Sequence, residues 1–195
     1  MSSHPGFTNM FGAYGQHDEL LISGDSADVV NYSFDRGNVH FIVLDSCRNK
    51  RYNNGFKETR AFLKKDLKAV YEKNPDSINL VFAHHPFPIT PGPMLEGSPY
   101  KVHAIFSGHT HEYGRHIGPE GTHYIRTGGM GANLHKKRRQ WHHVHTDPKK
   151  YRKSLQTEVE RTPVHHCTIL HYNNGHLDMT VKSVDDKVVD QVRLS

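Results

Sequence analysis

Cysteine is nearly absent from this chain, with two in 195 residues. Cys47 and Cys167 lie far apart and form no close pair of the kind that metal-binding knuckles use, so neither a disulfide framework nor a thiolate zinc site is expected. Tryptophan occurs once, at Trp141. Hydrophobic residues make up only 35% of the chain and the mean hydropathy is −0.72, which is lean for a globular core. No apolar run approaches the ~20 residues of a membrane span. The first residues carry neither the basic start nor the apolar stretch of a secretory leader. With Met1 as the start, a cytoplasmic location is the default expectation.

Histidine is what the sequence has in excess: there are 18. Two groups stand out because each follows a short apolar run with strand character. Ile78-Asn79-Leu80-Val81-Phe82-Ala83 leads into His84-His85-Pro86, and Val102-His103-Ala104-Ile105-Phe106 leads into Gly108-His109-Thr110-His111. Strands that end in imidazoles can deliver several nitrogen ligands to one edge of a sheet. In open α/β sheets, sites lie outside the carboxyl ends of the strands. Neutral imidazole suits zinc, iron or manganese-type ions, so a transition-metal site is the reading to test.

The remaining pattern reads as one α/β domain over residues 1–195, without repeats. Residues 1–31 are glycine-rich and polar, hence loop. Val39 to Asp45 is a buried strand, and Gly55 to Lys73 is the best helix, with Phe56, Phe62, Leu63, Leu67, Val70 and Tyr71 at helical spacing. Asn74-Pro75-Asp76 ends it. Prolines 86, 88, 91, 93 and 99 make the following loop stiff and non-helical. Residues 134–162 read as a polar, basic, His-rich insertion. The C-terminus reads as a meander, with strands from His165 to Tyr172, His176 to Val184 and Val188 to Leu194 and turns at Asn173-Asn174-Gly175 and Asp185-Asp186.

Four segments together resemble the calcineurin-like metallophosphoesterases, the family of purple acid phosphatases and many phosphodiesterases. Tyr32 to Ser46 is similar to that family's hairpin and core strand, and Val81-Phe82-Ala83-His84-His85-Pro86 to its strand ending in His-x-Pro. Phe106-Ser107-Gly108-His109-Thr110-His111 resembles its Gly-His-x-His motif, and Tyr124 to Ala132 its glycine-rich strand. The resemblance implies a partial four-layer α/β/β/α sandwich with mixed sheets, lacking the N-terminal βα units. It also implies a metal-dependent phosphoric-ester hydrolase acting on a phosphomonoester or phosphodiester. Carried over position by position, His84 and His109 would bind one metal and His111 the other. The ion would be manganese, iron or zinc.

The family's earlier motifs, Asp-x-His, Gly-Asp-x-x-Asp and Gly-Asn-His-Asp/Glu, precede its hairpin and supply the carboxylate shared by two metals. Only 31 residues precede Tyr32, so this chain is expected to be the C-terminal portion, with a missing N-terminal segment as its natural partner. Gly24-Asp25-Ser26-Ala27-Asp28 and Gly15-Gln16-His17-Asp18 imitate two of those motifs, but in reversed order and without room for the usual helix. They read as chance matches, although Asp25, Asp28 or His17 could substitute for lost ligands. One ion is therefore expected in preference to two, since imidazole cannot bridge two cations, and catalysis by the isolated chain is expected to be weak or nil. The competing readings are a non-catalytic pseudoenzyme or fragment with partial metal binding, and a basic nucleic-acid-binding module.

Other residues near these motifs read more plainly. His85 is expected to support a ligand or the fold. Asp45 ends a core strand as a turn or cap residue. Glu112, Tyr113 and Arg115 follow the Gly-His-x-His loop, and Arg115 reads as a solvated loop charge rather than a phosphate contact. Lys136-Lys137-Arg138-Arg139, with Trp141, His142, His143 and His145, reads as a solvated basic segment rather than a nucleic-acid surface, because no recognition fold accompanies it. His142, His143 and His145 could also bind metal adventitiously. His165 and His166 open a late strand that could sit near the site edge.

Overall fold

A computed structural model describes residues 31–46, 57–84, 98–118, 121–131, 133–134 and 158–195. Cys47, His85, the two near-match motifs and the basic segment around Trp141 lie outside them. The described chain forms β1 (Tyr32–Arg36), β2 (Val39–Leu44), α1 (Lys57–Lys73), β3 (Ile78–Ala83), β4 (Ala104–Ser107) and β5 (Tyr113–Ile117). It continues through β6 (His123–Thr127), β7 (Glu158–Thr162), β8 (His166–Asn173), β9 (His176–Ser183) and β10 (Val188–Arg193).

Seven strands form one mixed sheet in the order β1-β2-β3-β4-β6-β5-β7, and β10-β9-β8 form a second, antiparallel sheet. The parallel centre follows from the sequence. β2, β3 and β4 are buried on nearly every residue, as strands covered on both faces must be. One face packs under α1, where Leu63 and Leu67 meet Ile42, Leu44, Val81, Ala83, Ile105 and Tyr124. The opposite face carries Val39, Ile78, Leu80, Ala104, Phe106, Tyr113 and Ile125, packed against Leu177, Met179 and Val181 of β9. β9 alternates buried and half-buried positions, the period of a sheet with one covered face. The fold is thus a mixed α/β sandwich of helix, large sheet and small sheet.

Turn chemistry agrees with the hairpins. The β8–β9 turn places Asn174 at φ 50° and Gly175 at φ 84°, the left-handed pair that a two-residue hairpin needs. The β1–β2 hairpin turns at Gly37, φ 60°. α1 has Glu58 in its first turn and Lys73 in its last, each complementing the helix dipole.

Two strands differ from the sequence reading. β5 (Tyr-Gly-Arg-His-Ile) has no strand pattern in the sequence, because its Gly, Arg and His hide one. The end of the segment read as an insertion forms β7, which pairs antiparallel with β5. Arg115 is accordingly not a solvated loop charge and does not face a phosphate site. It is buried on β5, where Nε and Nη2 donate to Asp190 of β10 at 2.6 and 3.0 Å. The Tyr113 hydroxyl donates to the same carboxylate at 2.6 Å. Burial raises the Asp190 pKa, but the bonds from Arg115 and Tyr113 outweigh it and hold the carboxyl below its usual range. This clasp ties the large sheet to the small one.

Candidate metal centre

β3 and β4 are parallel neighbours, with Ala83 opposite Ser107, so the residues that follow them leave the sheet side by side. The Gly108 N–H donates to the His84 carbonyl at 3.0 Å and extends the pairing one residue beyond the strands. The His84 and His109 rings therefore meet at the strand ends, with centroids 5.4 Å apart and planes at 71°.

His109 holds a left-handed backbone at φ 62°, uncommon for any residue except glycine, and tolerated better by His than by branched side chains. Such conformations cost roughly 1–3 kcal/mol and persist only where the surroundings impose them. Here the surroundings are tight turns and a glycine. Thr110 N–H bonds Gly108 O at 2.6 Å and Glu112 N–H bonds Thr110 O at 2.8 Å. Gly128 lies directly beneath: a Cβ there would come within 2.5 Å of the Thr110 carbonyl oxygen. No side chain fits that gap. Below the loop, Glu112 and Arg126 form an almost fully buried ion pair at 3.0 Å, which anchors the end of the loop to β6.

His111 is bonded to the backbone of a later segment. Its Nδ1–H donates to the Asn133 carbonyl oxygen at 2.9 Å. Ligand imidazoles usually show this arrangement, because an outer acceptor fixes the tautomer. The structure thus brings His84 and His109 into ring contact and holds His111 by a separate backbone bond. Among the described residues no three His, Cys, Asp or Glu side chains are arranged to hold an ion together. Imidazoles are a borderline-soft donor set, which fits a zinc-, manganese- or iron-type ion better than calcium or magnesium.

Asp45 is buried at the end of β2. Its N–H bonds the Asn31 side-chain oxygen at 2.8 Å and its carbonyl accepts from Thr59 at 3.2 Å, so it joins three segments. His165 Nδ1 bonds Gly129 O at 2.8 Å, and His166 Nε2 lies 3.1 Å from Thr127 Oγ1. These two histidines brace the glycine-rich segment under the His109 loop. Sequence reasoning missed the Glu112–Arg126 anchor, since a buried ion pair leaves no periodic signal.

No family model matches the chain, and no curated protein matches its sequence. Among solved structures it is similar to purple acid phosphatase PPD1 from yellow lupin (Lupinus luteus) seeds, with a TM-score of 0.55 and 16% identity. The match covers 84% of this chain and 32% of that one, so the chain spans about a third of that protein's length. At this identity the likeness shows the fold: a mixed α/β arrangement compatible with a partial phosphoesterase-like sandwich.

Proposed function

We propose that this chain carries half of a metal-dependent phosphoric-ester hydrolase site and binds one divalent transition ion through His84 and His109, with His111 as a further ligand. The observation that supports it is the ring contact of His84 and His109 at two adjacent parallel strand ends, on a fold similar to a purple acid phosphatase. When bound, the ion would act as a Lewis acid on a phosphoryl oxygen. The chain's own part is to hold imidazole nitrogens at fixed spacing on rigid strands. Gly128 keeps the His109 loop close to the sheet, and Asn133 sets the His111 tautomer. Residues 1–195 are read as one metallophosphoesterase domain, with small phosphomonoesters or phosphodiesters as substrates.

A second reading, a non-catalytic metal-binding protein, is favoured by one observation: no third His, Cys, Asp or Glu converges with His84 and His109 among the described residues. Metal analysis after dialysis against manganese or zinc separates the outcomes. About one ion per chain is expected, lost in His84→Ala/His109→Ala and kept in His142→Ala/His143→Ala. Loss only in the second variant would place the metal in the basic segment and refute the assignment. Turnover of an aryl phosphate by the metal-loaded chain, abolished by His109→Ala, would favour the enzyme. Metal binding without turnover would favour the second reading.

A further inference from the structure

The inner face of the large sheet carries a feature that the metal reading leaves unused. Phe34, Phe41, Phe82 and Phe106, from four successive strands, form a ladder of near-parallel rings. Centroids are 4.9 Å apart for Phe34–Phe41, 6.1 Å for Phe41–Phe82 and 4.9 Å for Phe82–Phe106, with interplanar angles of 2°, 17° and 11°. Above it lies an open cavity of about 340 Å³, lined also by Val43, Gly108 and Thr127. No charged residue lines it among the described residues. Polypeptide cores are usually closed over aromatic rings of this kind. Phe34, Phe41 and Phe82 stay only partly buried, while Phe106 is buried.

One wall of the cavity, Gly108, adjoins the candidate metal centre. Gly108 donates its N–H to the His84 carbonyl, and the Gly108 Cβ position is 3.7 Å from His84 Nδ1. A molecule resting on the ladder would therefore have one end at Gly108, next to His84. The volume falls within the ~300–1,000 Å³ of small-molecule pockets, which are mostly apolar and aromatic with a few polar groups at one end. Flat aromatic groups gain from offset or edge-to-face contact with such rings beyond their burial alone.

We propose that this groove is the binding subsite for the organic part of the substrate, and that this part is a flat aromatic group attached to the phosphate. The assignment rests on the phosphoester reading for its polar end only; the aromatic end stands on the groove itself. In this reading the phosphate would be held at His84 and His109, and the aryl group would lie on the Phe rings beyond Gly108. Small alkyl phosphates leave the groove empty and lose that contribution.

Binding of 2-naphthol, 2-naphthyl phosphate and methyl phosphate to the full-length chain, followed by ligand-observed NMR with and without manganese, tests both ends separately. The metal-free chain is expected to bind 2-naphthol. The manganese-loaded chain should bind 2-naphthyl phosphate at least tenfold more tightly than methyl phosphate. Phe82→Leu should remove most of that preference while leaving metal content unchanged. Phe34→Leu, on the edge strand, serves the same purpose should Phe82→Leu not fold. His84→Ala/His109→Ala should weaken both phosphates and leave 2-naphthol unaffected; if it changes neither phosphate, the metal reading fails and the groove assignment survives. The groove assignment is overturned if 2-naphthol does not bind, or if both phosphates bind equally. It is also overturned if sedimentation shows a dimer that Phe82→Leu dissociates, since a second copy would then be the occupant.

Discussion

His40 offers the sharpest test of the packing. At the start of β2 it is 5% exposed and lies between two carboxylates: Nδ1 is 2.6 Å from Asp35 and Nε2 is 2.8 Å from Asp66, which is itself 17% exposed. Ser33 also donates to Asp66 at 2.8 Å, and Lys73 pairs with the exposed side of Asp35 at 2.8 Å. Asn79 of β3 is the neighbour across the sheet. Burial disfavours the charged ring, but the bonds to Asp66 and Asp35 outweigh it, so the pKa is held above the usual imidazole value. The chemistry explains the direction. An imidazolium donates from both nitrogens, whereas a neutral ring has one proton for two carboxylates and turns a lone pair on the other. In the pH range between the unfolded and folded pKa values the native state binds more protons than the unfolded state, so stability falls as pH rises, by at most about 1.4 kcal/mol per pH unit. The contribution is complete below about pH 6.5 and is lost as pH climbs through the raised folded value. The bond to Asp66 is buried and charge-assisted, worth about 1.5–3 kcal/mol, and the bond to the half-exposed Asp35 adds no more than about 1 kcal/mol. His40→Leu is therefore expected to cost about 2–4 kcal/mol at pH 6 and clearly less at pH 9. Urea unfolding of both proteins between these pH values measures the difference. A penalty that is constant, or that grows with pH, would refute a charged His40.

The buried Arg115–Asp190 pair makes a second test: either single alanine variant should cost about 3–5 kcal/mol in denaturant unfolding, while Arg115→Met/Asp190→Leu recovers much of it, because the penalty is that of an orphaned charge. Gly128→Ala, whose methyl would meet the Thr110 carbonyl oxygen, should cost about 1–3 kcal/mol and lower metal affinity. Gly121→Ala, where no atom is in the way but φ is 82°, should cost stability through backbone strain and leave metal affinity unchanged; calorimetry with manganese reads both affinities. Metal at a hundred times its dissociation constant should add about 2.7 kcal/mol to stability, reversed by a chelator and missing in His84→Ala/His109→Ala; a chelator-sensitive melting temperature in that variant would relocate the ion.

Much of this architecture is legible in the amino-acid order, and the parts that are not share a cause. β2, β3, α1 and the β8–β10 meander carry their signals locally, in apolar runs, helical spacing and an Asn-Gly turn. β5 and β7 carry none, because Tyr-Gly-Arg-His-Ile and Glu-Val-Glu-Arg-Thr are strands by virtue of their neighbours. Arg115 reads as a surface charge until β10, 75 residues later, supplies Asp190. The strand-end histidines are visible because they follow apolar runs directly. The Phe ladder is not, since its rings come from four separate strands and only the sheet order aligns them.

The loop from Gly108 to Glu112 joins β4 to β5, two antiparallel strands that are not neighbours, because β6 lies between them. During synthesis β4 and β5 emerge before β6, and a five-residue connection invites them to zip into a simple hairpin. The native order requires that pairing to be refused or undone so that β6 can enter. The loop must therefore arch over two strand spacings, roughly 9–10 Å, instead of one. The turns around His109 and the close approach of Gly128 to Thr110 belong to this wide arch. The residues that set the imidazoles in place thus also select the order in which this sheet can close, and refolding after a change at Gly128 should slow even where the final structure survives.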